Sequence, residues 1–167
     1  PTCATCHMSA TRSQPVTHDV GARISWTLRP PVSKHTEGWE EKRDSMQDVC
    51  STCHTPQFYL GHYSQFDGIV NLYNEKFAKP ATAVMNIVRR NKSLESPAAF
   101  SNELEWTYWE LWHHEGRRAR HGAAMMGPDY TWWHGMYEVA QHFYFKLIPE
   151  ARKYNDPDVN AYIDNLI

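Results

Sequence analysis

The chain contains no uninterrupted apolar run of the roughly 20 residues that a membrane-spanning helix needs. It also has no strong excess of charge of either sign, because 17 Lys and Arg stand against 19 Asp and Glu, a formal net charge of −2. Without a basic excess, the charge does not predict binding to nucleic acid. Only four cysteines are present, and two short motifs use all of them, so no disulfide framework is expected.

The four cysteines lie in two copies of the pattern C-x-x-C-H, CATCH at residues 3–7 and CSTCH at residues 50–54. This pattern is the attachment signal of c-type haem, in which two thiols bond the porphyrin vinyl groups and the histidine binds the iron as proximal ligand. Two copies predict two covalent haem c groups. The residues predicted to hold them are Cys3, Cys6, His7, Cys50, Cys53 and His54.

Two other uses of paired cysteines fit the sequence less well. A four-cysteine zinc site does not need a histidine after each pair, and the separation of Cys6 from Cys50 exceeds the roughly 15 to 20 residues of a zinc ribbon. A thioredoxin-like redox pair requires a βαβ setting, and no run of β-branched residues surrounds either motif. Haem attachment is the interpretation that uses every residue of both motifs.

The composition agrees with a protein that packs around haem. Seven Trp, nine Tyr and six Phe supply flat rings that suit contact with a macrocycle. Because haem c is attached in an oxidising, extracytoplasmic compartment, the motifs predict the periplasm or its equivalent. The sequence begins at Pro1, two residues before the first motif, without a signal peptide, which predicts a processed product or a fragment of a longer chain.

The chain is predicted to be mainly α, with an irregular, haem-wrapped segment at residues 1–56 and a helical segment at residues 57–167. Pro15, Pro30 and Pro31 break any long helix in the first segment. The charged run at residues 37–44 predicts a short helix that leads to the second motif. No strand pattern occurs in either segment.

A long apolar stripe opens the second segment and predicts a helix packed against other helices. Its members alternate at steps of four and three residues: Tyr59, Tyr63, Phe66, Val70, Tyr73, Phe77, Ala81, Val84 and Val88. Gly68 and Pro80 interrupt the stripe. Pro80 is expected to kink or split the helix, because it removes a backbone donor and clashes with the preceding turn.

Two further helices and a short tail helix are expected. The second helix covers residues 97–121, with Ser96 as its cap and Pro97 at its first position. Its inward residues are predicted to be Phe100, Leu104, Tyr108, Leu111 and Trp112. After a turn at residues 122–129, the third helix covers residues 130–153, with Asp129 or Thr131 as cap and a kink at Pro149. Its inward residues are predicted to be Trp133, Met136, Ala140, Phe143 and Leu147.

Ten histidines are present, and eight remain after the two proximal ligands. His18 follows the first motif closely, His121 ends the second helix, and His134 lies one turn into the third helix beside two tryptophans. These three are the main candidates for distal iron ligands. The lower-ranked candidates are His35, His62, His113, His114 and His142. An iron with two histidine ligands has no open site and carries electrons only.

Four stretches together resemble a known family: the two haem motifs, the segment PVTHDVG at residues 15–21, and the run HGAAMMGPDYTWWHGMY at residues 121–137. Over nearly its whole length, the chain closely resembles the C-terminal third of octahaem hydroxylamine oxidoreductase. The motifs beginning at Cys3 and Cys50 would be the last two haem motifs of that family. The tyrosine-bearing run is far more specific than the haem motif, which many cytochromes share.

The resemblance implies an enzyme of the nitrogen cycle that oxidises hydroxylamine, or hydrazine in close relatives, and passes electrons through bis-histidine haems to a soluble acceptor cytochrome. It implies a homotrimer in which a tyrosine, here Tyr130, is bonded covalently to the catalytic haem of a neighbouring subunit. The segment that carries the catalytic haem is absent from these 167 residues, so this piece alone is expected to be inactive. A free dihaem electron-transfer module and a reductive octahaem relative, such as a nitrite or tetrathionate reductase, are the alternatives.

Overall fold

The computed structural model describes residues 1–94 and 98–167, and these residues are mainly helical, as the sequence predicts. Within the described residues, β-pairing is confined to one isolated bridge between Trp26 and His35. None of the described helices is long and apolar enough to span a membrane. The fold class predicted from the sequence is confirmed.

The chain forms two compact units. Unit 1 consists of Pro1–Leu28 and Ser33–Asp67, and unit 2 consists of Arg29–Val32 and Gly68–Ile167. Both haem motifs belong to unit 1. The predicted division into a haem-binding segment at residues 1–56 and a helical segment at residues 57–167 stays a prediction.

Unit 1 begins with the short helix α1 (Cys3–His7), and a long irregular stretch separates it from α2 (Trp39–Ser51). Gly38 precedes α2 with a φ of 61°, a left-handed conformation that glycine adopts without steric cost. The short helix predicted at residues 37–44 is present and begins at Trp39. It extends further than predicted and carries Cys50 in its last turn.

The long apolar stripe lies on one continuous helical run. Helix α3 (Pro56–Tyr73) passes through a π-helical segment, π1 (Asn74–Ala78), into α4 (Lys79–Arg90). All members of the stripe are buried except Tyr59, which is partly exposed, so this prediction is confirmed. Pro80 does not split the helix. The wider turn of π1 lies immediately before it, and π segments of this kind are common where the regular bonding of a helix is disturbed.

The second predicted helix begins later than the sequence indicates. Helix α5 (Glu103–Glu110) continues through π2 (Leu111–Glu115) into α6 (Gly116–Ala124). The predicted start at Pro97 and the cap at Ser96 lie outside the described residues. Phe100 was predicted to point inward from this helix, but it lies before the helix with a φ of 59° and is 45% exposed. Leu104 and Leu111 are fully buried as predicted.

The third predicted helix matches in extent but not in its cap. It runs as π3 (Asp129–Tyr137), α7 (Glu138–His142), π4 (Phe143–Leu147) and α8 (Ile148–Arg152). Pro128 occupies the N-cap position without a side-chain bond, so the prediction of Asp129 or Thr131 as cap is wrong. Trp133 was predicted to point inward and is 61% exposed, because the π-helical turns shift the register of the buried face. Met136, Phe143 and Leu147 are buried as predicted.

Helix α9 (Pro157–Leu166) is the predicted tail helix, and Asp156 caps it. The Asp156 carboxylate accepts hydrogen bonds from the backbone N–H of Asp158 at 2.9 Å and from the side-chain amide of Asn91 at 3.1 Å. The hydrogen bond from Ser93 is the main cause that lowers the pKa of Asp156. The cap thus ties the start of α9 to the end of α4.

Replacement of Asp156 by alanine is expected to lower the free energy of unfolding by about 1–2 kcal/mol, the usual cost of a lost cap. Because the folded pKa lies below the unfolded value of about 3.9, the carboxylate stabilises the fold above that pH and loses its effect as the pH falls through the folded pKa. Urea denaturation from pH 7 to pH 3 measures both effects. Asp164→Ala is the control; it removes an exposed ion pair between Asp164 on α9 and Arg152 on α8 and should change stability little.

A buried ion pair organises the core of unit 1. The Arg43 guanidinium donates to both carboxylate oxygens of Asp67 at 2.7 Å, and the indole N–H of Trp26 donates to the same carboxylate at 2.8 Å. Burial alone would raise the pKa of Asp67, but the hydrogen bonds from Arg43 and Trp26 outweigh it and lower the pKa. The guanidinium also lies over the Tyr63 ring, 4.5 Å from its centroid.

Arg43→Met is expected to lower the free energy of unfolding by about 2–4 kcal/mol, because it leaves the half-buried Asp67 carboxylate without its main partner. The midpoint of urea denaturation measures this change. Lys79→Met removes an exposed ion pair with Glu75 and should cost less than about 0.5 kcal/mol. Equal midpoints for the two variants would contradict a structural role of the buried pair.

Arg120 on α6 has a comparable place in unit 2, where it is completely buried. Its guanidinium donates to the carbonyl oxygens of Gly116 and Pro30 at 2.8 Å and lies 4.2 Å from the centroid of the Tyr73 ring. Gly116 allows this approach, since a Cβ there would stand 2.6 Å from the Tyr73 ring. These contacts hold the buried Arg120 side chain in place on α6.

Candidate functional site

The first motif coincides with helix α1. Thr2 and Thr5 cap this helix reciprocally, each side chain bonding the backbone N–H of the other. Because side chains at i, i+3 and i+4 share one face of a helix, Cys3, Cys6 and His7 are placed on the same side. The motif therefore presents both thiols and the imidazole together, as haem attachment requires.

Arg23 binds the backbone at the end of the first motif. Its side chain is buried, and its guanidinium donates to the carbonyl oxygens of Cys6 at 2.9 Å and of Ser9 at 2.6 Å. The last carbonyl groups of a helix lack partners within the helix, so a guanidinium at this point satisfies them. No local sequence pattern marks Arg23 as part of the site.

The second motif continues the last turn of α2. The backbone N–H groups of Cys53 and His54 both donate to the carbonyl of Cys50, at 3.1 and 2.9 Å, so the chain keeps a helix-like turn through the motif. The His54 ring stacks on Phe58 with centroids 4.0 Å apart. Cys50, Cys53 and His54 thus repeat the arrangement of the first motif.

Unit 1 brings the two motifs close together, because α1 packs against α2. The segment after the first motif is tied to α2 by Asp48, whose carboxylate accepts hydrogen bonds from Ser13 at 2.6 Å and from Gln14 at 2.7 Å. Burial, followed by the nearby thiol of Cys6, raises the pKa of the Cys50 thiol. Two attachment sites on adjacent helices suit electron transfer between their cofactors.

The residues of both motifs fit covalent haem c. All four cysteines carry free thiols, and His7 Nδ1 is buried without a hydrogen-bond partner among the described residues. Within residues 1–94 and 98–167, no three His, Cys, Asp or Glu side chains converge on a point suited to a bare metal ion. When bound, haem c supplies one-electron redox chemistry.

His18 lies in an exposed bend of unit 1. The chain returns to the first motif at this bend, since the backbone N–H of Thr17 donates to the carbonyl of Met8 at 3.1 Å. Asp19 closes the bend by accepting from the N–H of Gly21 at 2.8 Å. His18 as a distal ligand stays a prediction.

His121, on α6 in unit 2, has the geometry of a prepared ligand. Its Nδ1 lies 2.9 Å from the carbonyl oxygen of Arg117, and because a carbonyl only accepts, Nδ1 carries the proton and Nε2 has a free lone pair. Metal-binding histidines commonly use their second nitrogen in this way. Burial lowers the pKa of His121 more than this hydrogen bond raises it, so the ring is neutral at pH 7.

His134, on π3, is oriented by a carboxylate. Its Nδ1 lies 3.1 Å from Oε1 of Glu138, and the second oxygen of Glu138 forms an ion pair with Arg118 at 2.7 Å. The Nε2 atom faces Asp129 at 3.7 Å, beyond hydrogen-bond distance. His121 and His134 are both held through Nδ1, and their roles as distal ligands stay predictions.

Tyr130 is the second residue of π3 and is 56% exposed. Its ring centroid lies 6.0 Å from that of His134, so the structure brings these two predicted site residues together. Three other large aromatic side chains of π3 are also more than half exposed: Trp132, Trp133 and Tyr137. The tyrosine therefore stands on an aromatic, solvent-facing surface of unit 2.

Two features near π2 involve histidines from the lower-ranked group of candidate ligands. His113 and His114 line a surface pocket of about 370 Å³ together with Arg117 and Arg118. His142 is only 3% exposed, and its Nδ1 lies 3.5 Å from Glu115. The run HHEGRR at residues 113–118 is the sequence signal for this cluster, whereas nothing local predicts that His142 is buried. The His35 ring lies between the rings of Trp26 and Trp39, with centroids 3.7 and 4.0 Å away, and its role as a ligand stays a prediction.

Comparison with known proteins agrees with this arrangement of motifs. The model of one family, described as seven times multi-haem cytochrome CxxCH, matches residues 1–96, more than half of the chain. No curated protein and no solved structure matches the chain. The family match covers both haem motifs and ends before α5, so it does not include Tyr130, His121 or His134.

The match agrees with the chemistry of the motifs. Free thiols paired at helical spacing, each pair followed by a histidine, are the residues that bind haem c covalently. Haem c gives such a protein a redox role in electron transfer. The chain belongs to the family of multihaem c-type cytochromes with CxxCH motifs.

Proposed function

We propose that this chain is part of a multihaem oxidoreductase that oxidises hydroxylamine or hydrazine in the periplasm or an equivalent compartment. The remaining part of an octahaem chain carries the catalytic haem. Identical subunits assemble as a homotrimer, and a soluble cytochrome accepts the electrons. The proposal goes beyond the family match and rests on the resemblance of residues 121–137 to hydroxylamine oxidoreductase.

The exposed ring of Tyr130 is the observation that carries the proposal. A tyrosine in the interior of a fold is buried with its hydroxyl paired, whereas Tyr130 is 56% exposed at the beginning of a helical run. A side chain in this position can reach a neighbouring subunit. The crosslink itself replaces one hydrogen on the tyrosine ring and one on the porphyrin by a single bond. The two protons and two electrons released would reduce one peroxide molecule to two molecules of water.

The histidines of the chain have distinct roles in this proposal. His7 and His54 bind the irons of the two covalent haems on the proximal side. His18, His121 and His134 serve as distal ligands, and the Nδ1 hydrogen bonds of the last two keep their Nε2 lone pairs free. Haems with two histidine ligands lack an open site, so these haems transfer electrons and leave bond chemistry to the catalytic haem.

A free dihaem electron-transfer module is the second candidate. The observation in its favour is that unit 1 contains both haem motifs and has its own buried ion pair between Arg43 and Asp67. On this reading Tyr130 is a packing residue without covalent chemistry. A reductive octahaem relative would share the electron-transfer haems but lack the crosslink.

The intact mass of the native protein under denaturing conditions, together with its absorption spectrum, distinguishes these candidates. The proposed function predicts a covalent species far heavier than 19.5 kDa plus two haems, with an absorption band from a modified porphyrin. It also predicts that hydroxylamine reduces the haems. A mass of 19.5 kDa plus two haems, with ordinary low-spin spectra, would contradict the proposal and support the dihaem module.

A further inference from the structure

Two glycines touch the backbone of Tyr130 so closely that no larger residue fits at either position. We propose that Gly122 and Gly135 are positioning residues, which hold the Tyr130 backbone in place while its ring stays exposed. The inference rests on the proposed role of Tyr130 in the crosslink. It identifies the residues of this chain that determine the position of Tyr130.

Gly135 lies on the same helical run, five residues after Tyr130. A Cβ at this position would stand 2.3 Å from the carbonyl oxygen of Tyr130 and 2.6 Å from Cα of Ala119. Real Cβ atoms essentially never approach other atoms closer than 3.0 Å. Since π-helical bonds span five residues, Gly135 permits both the wide turn that contains Tyr130 and the contact between π3 and α6.

Gly122 holds the tyrosine from the side of α6. A Cβ there would stand 2.7 Å from the backbone nitrogen of Thr131 and 2.8 Å from the carbonyl carbon of Tyr130. The carbonyl of Gly122 accepts from the N–H of Gly127 at 2.8 Å, and the carbonyl of Gly127 accepts from the N–H of Thr131 at 2.9 Å. The turn before Tyr130 is thus closed onto Gly122 by backbone hydrogen bonds.

These contacts fix the backbone of Tyr130. Its ring can therefore move only by rotation about its own side-chain torsions. A covalent bond to a partner group forms efficiently when the reacting atoms are already in place, and a displacement of about 1 Å can cost about 100-fold in rate. An added methyl group at residue 122 or 135 would force the Tyr130 backbone outward or separate π3 from α6. The tyrosine would remain in the chain but stand in the wrong place.

The test compares Gly122→Ala and Gly135→Ala in the complete native protein with two matched glycine variants of the same unit. Gly116→Ala introduces a comparably close contact, 2.6 Å from the Tyr73 ring, at a site that does not touch Tyr130. Gly68→Ala adds a methyl group with nothing within 4 Å. The readouts are the crosslinked fraction by denaturing mass analysis, the thermal midpoint, and the amide hydrogen exchange of a peptide containing residues 130–131.

Gly122→Ala and Gly135→Ala are expected to lower the crosslinked fraction at least about tenfold and to speed exchange at residues 130–131. Gly116→Ala should lower the thermal midpoint about as much as Gly122→Ala and Gly135→Ala do, but it should leave the crosslinked fraction unchanged. Gly68→Ala should leave both the thermal midpoint and the crosslinked fraction unchanged. A crosslinked fraction that falls equally in the Gly116 and Gly135 variants would overturn the positioning role.

The failure of the proposed function is distinguishable from that of the positioning role. If the unsubstituted protein contains no crosslink, the role of Tyr130 is wrong, and hydrogen exchange still tests whether the two glycines hold its backbone. Unchanged exchange and an unchanged crosslink in both glycine variants would overturn the inference alone. Should Gly135→Ala fail to fold, Gly122→Ala provides the same comparison.

Discussion

Tyr130→Phe in the complete multihaem protein is expected to reduce hydroxylamine-dependent turnover by about 100-fold or more and to remove the absorption band of the modified porphyrin. Phenylalanine keeps the size and exposure of the side chain but lacks the phenol, whose hydroxyl activates the ring toward bond formation. The protein should fold normally, since the ring of Tyr130 is 56% exposed and its hydroxyl stabilises no core. The fold-change is of the order that a misplaced reacting group costs.

Three measurements check this prediction: the absorption spectrum, the rate of haem reduction by hydroxylamine, and the denatured mass, which should show separate subunits. Tyr137→Phe is the matched control, because Tyr137 lies on the same π-helical segment and is 52% exposed. It should retain the band and the turnover. An unchanged spectrum and mass for Tyr130→Phe would contradict the crosslink, whereas equal losses in both variants would indicate general damage to the aromatic surface.

Replacing both Cys50 and Cys53 by serine is expected to remove one covalent haem from each chain. Serine cannot form the thioether bonds to the vinyl groups, so the haem held by the second motif is lost, and the first motif on α1 keeps its own. Intact mass and the absorbance of the extracted haem measure the result. Electron transfer through unit 1 should fall with the missing cofactor.

Two further variants show whether the haem is lost because the thioether bonds are missing. Thr52→Ala changes a variable position of the same motif and should leave the haem content unaltered. His54→Ala keeps both thioether bonds and should keep the haem mass, but its low-spin spectrum should change because the proximal ligand is gone. An unaltered haem mass in the double serine variant would show that these cysteines have another role.

Sequence reasoning predicted the parts of this protein that depend on residues close together in the chain. A haem motif occupies five consecutive residues, and its helical spacing is enough to place two thiols and an imidazole on one face. The stripe from Tyr59 to Val88 is likewise a local repeat, and its burial follows because an apolar face must pack against something. The tail helix was predicted only as the segment after the break at residues 155–157, and the structure adds its cap, Asp156.

Errors arose where helix geometry departed from the regular α-helical period. Trp133 was predicted to be inward from a period of 3.6 residues, but π3 has a wider turn and carries this side chain to the surface. Phe100 was assigned to a helix that begins only at Glu103. Pro80 was predicted to kink or split its helix; the helix is not split, and a π-helical segment, π1, ends two residues before Pro80. Simple periodicity does not reveal the extra residue in a π turn.

The sequence by itself determined the haem c chemistry and the mainly helical class, because each is encoded by residues within one or two turns. Only the tertiary structure decided which distant groups support them. Arg23 binds the carbonyl of Cys6, 17 residues earlier in the sequence. Asp48 accepts hydrogen bonds from the segment after the first motif, more than 30 residues earlier in the sequence. Gly135 meets Ala119 on another helix. Such contacts depend on how the elements pack, and packing is a property of the folded chain that no local pattern records.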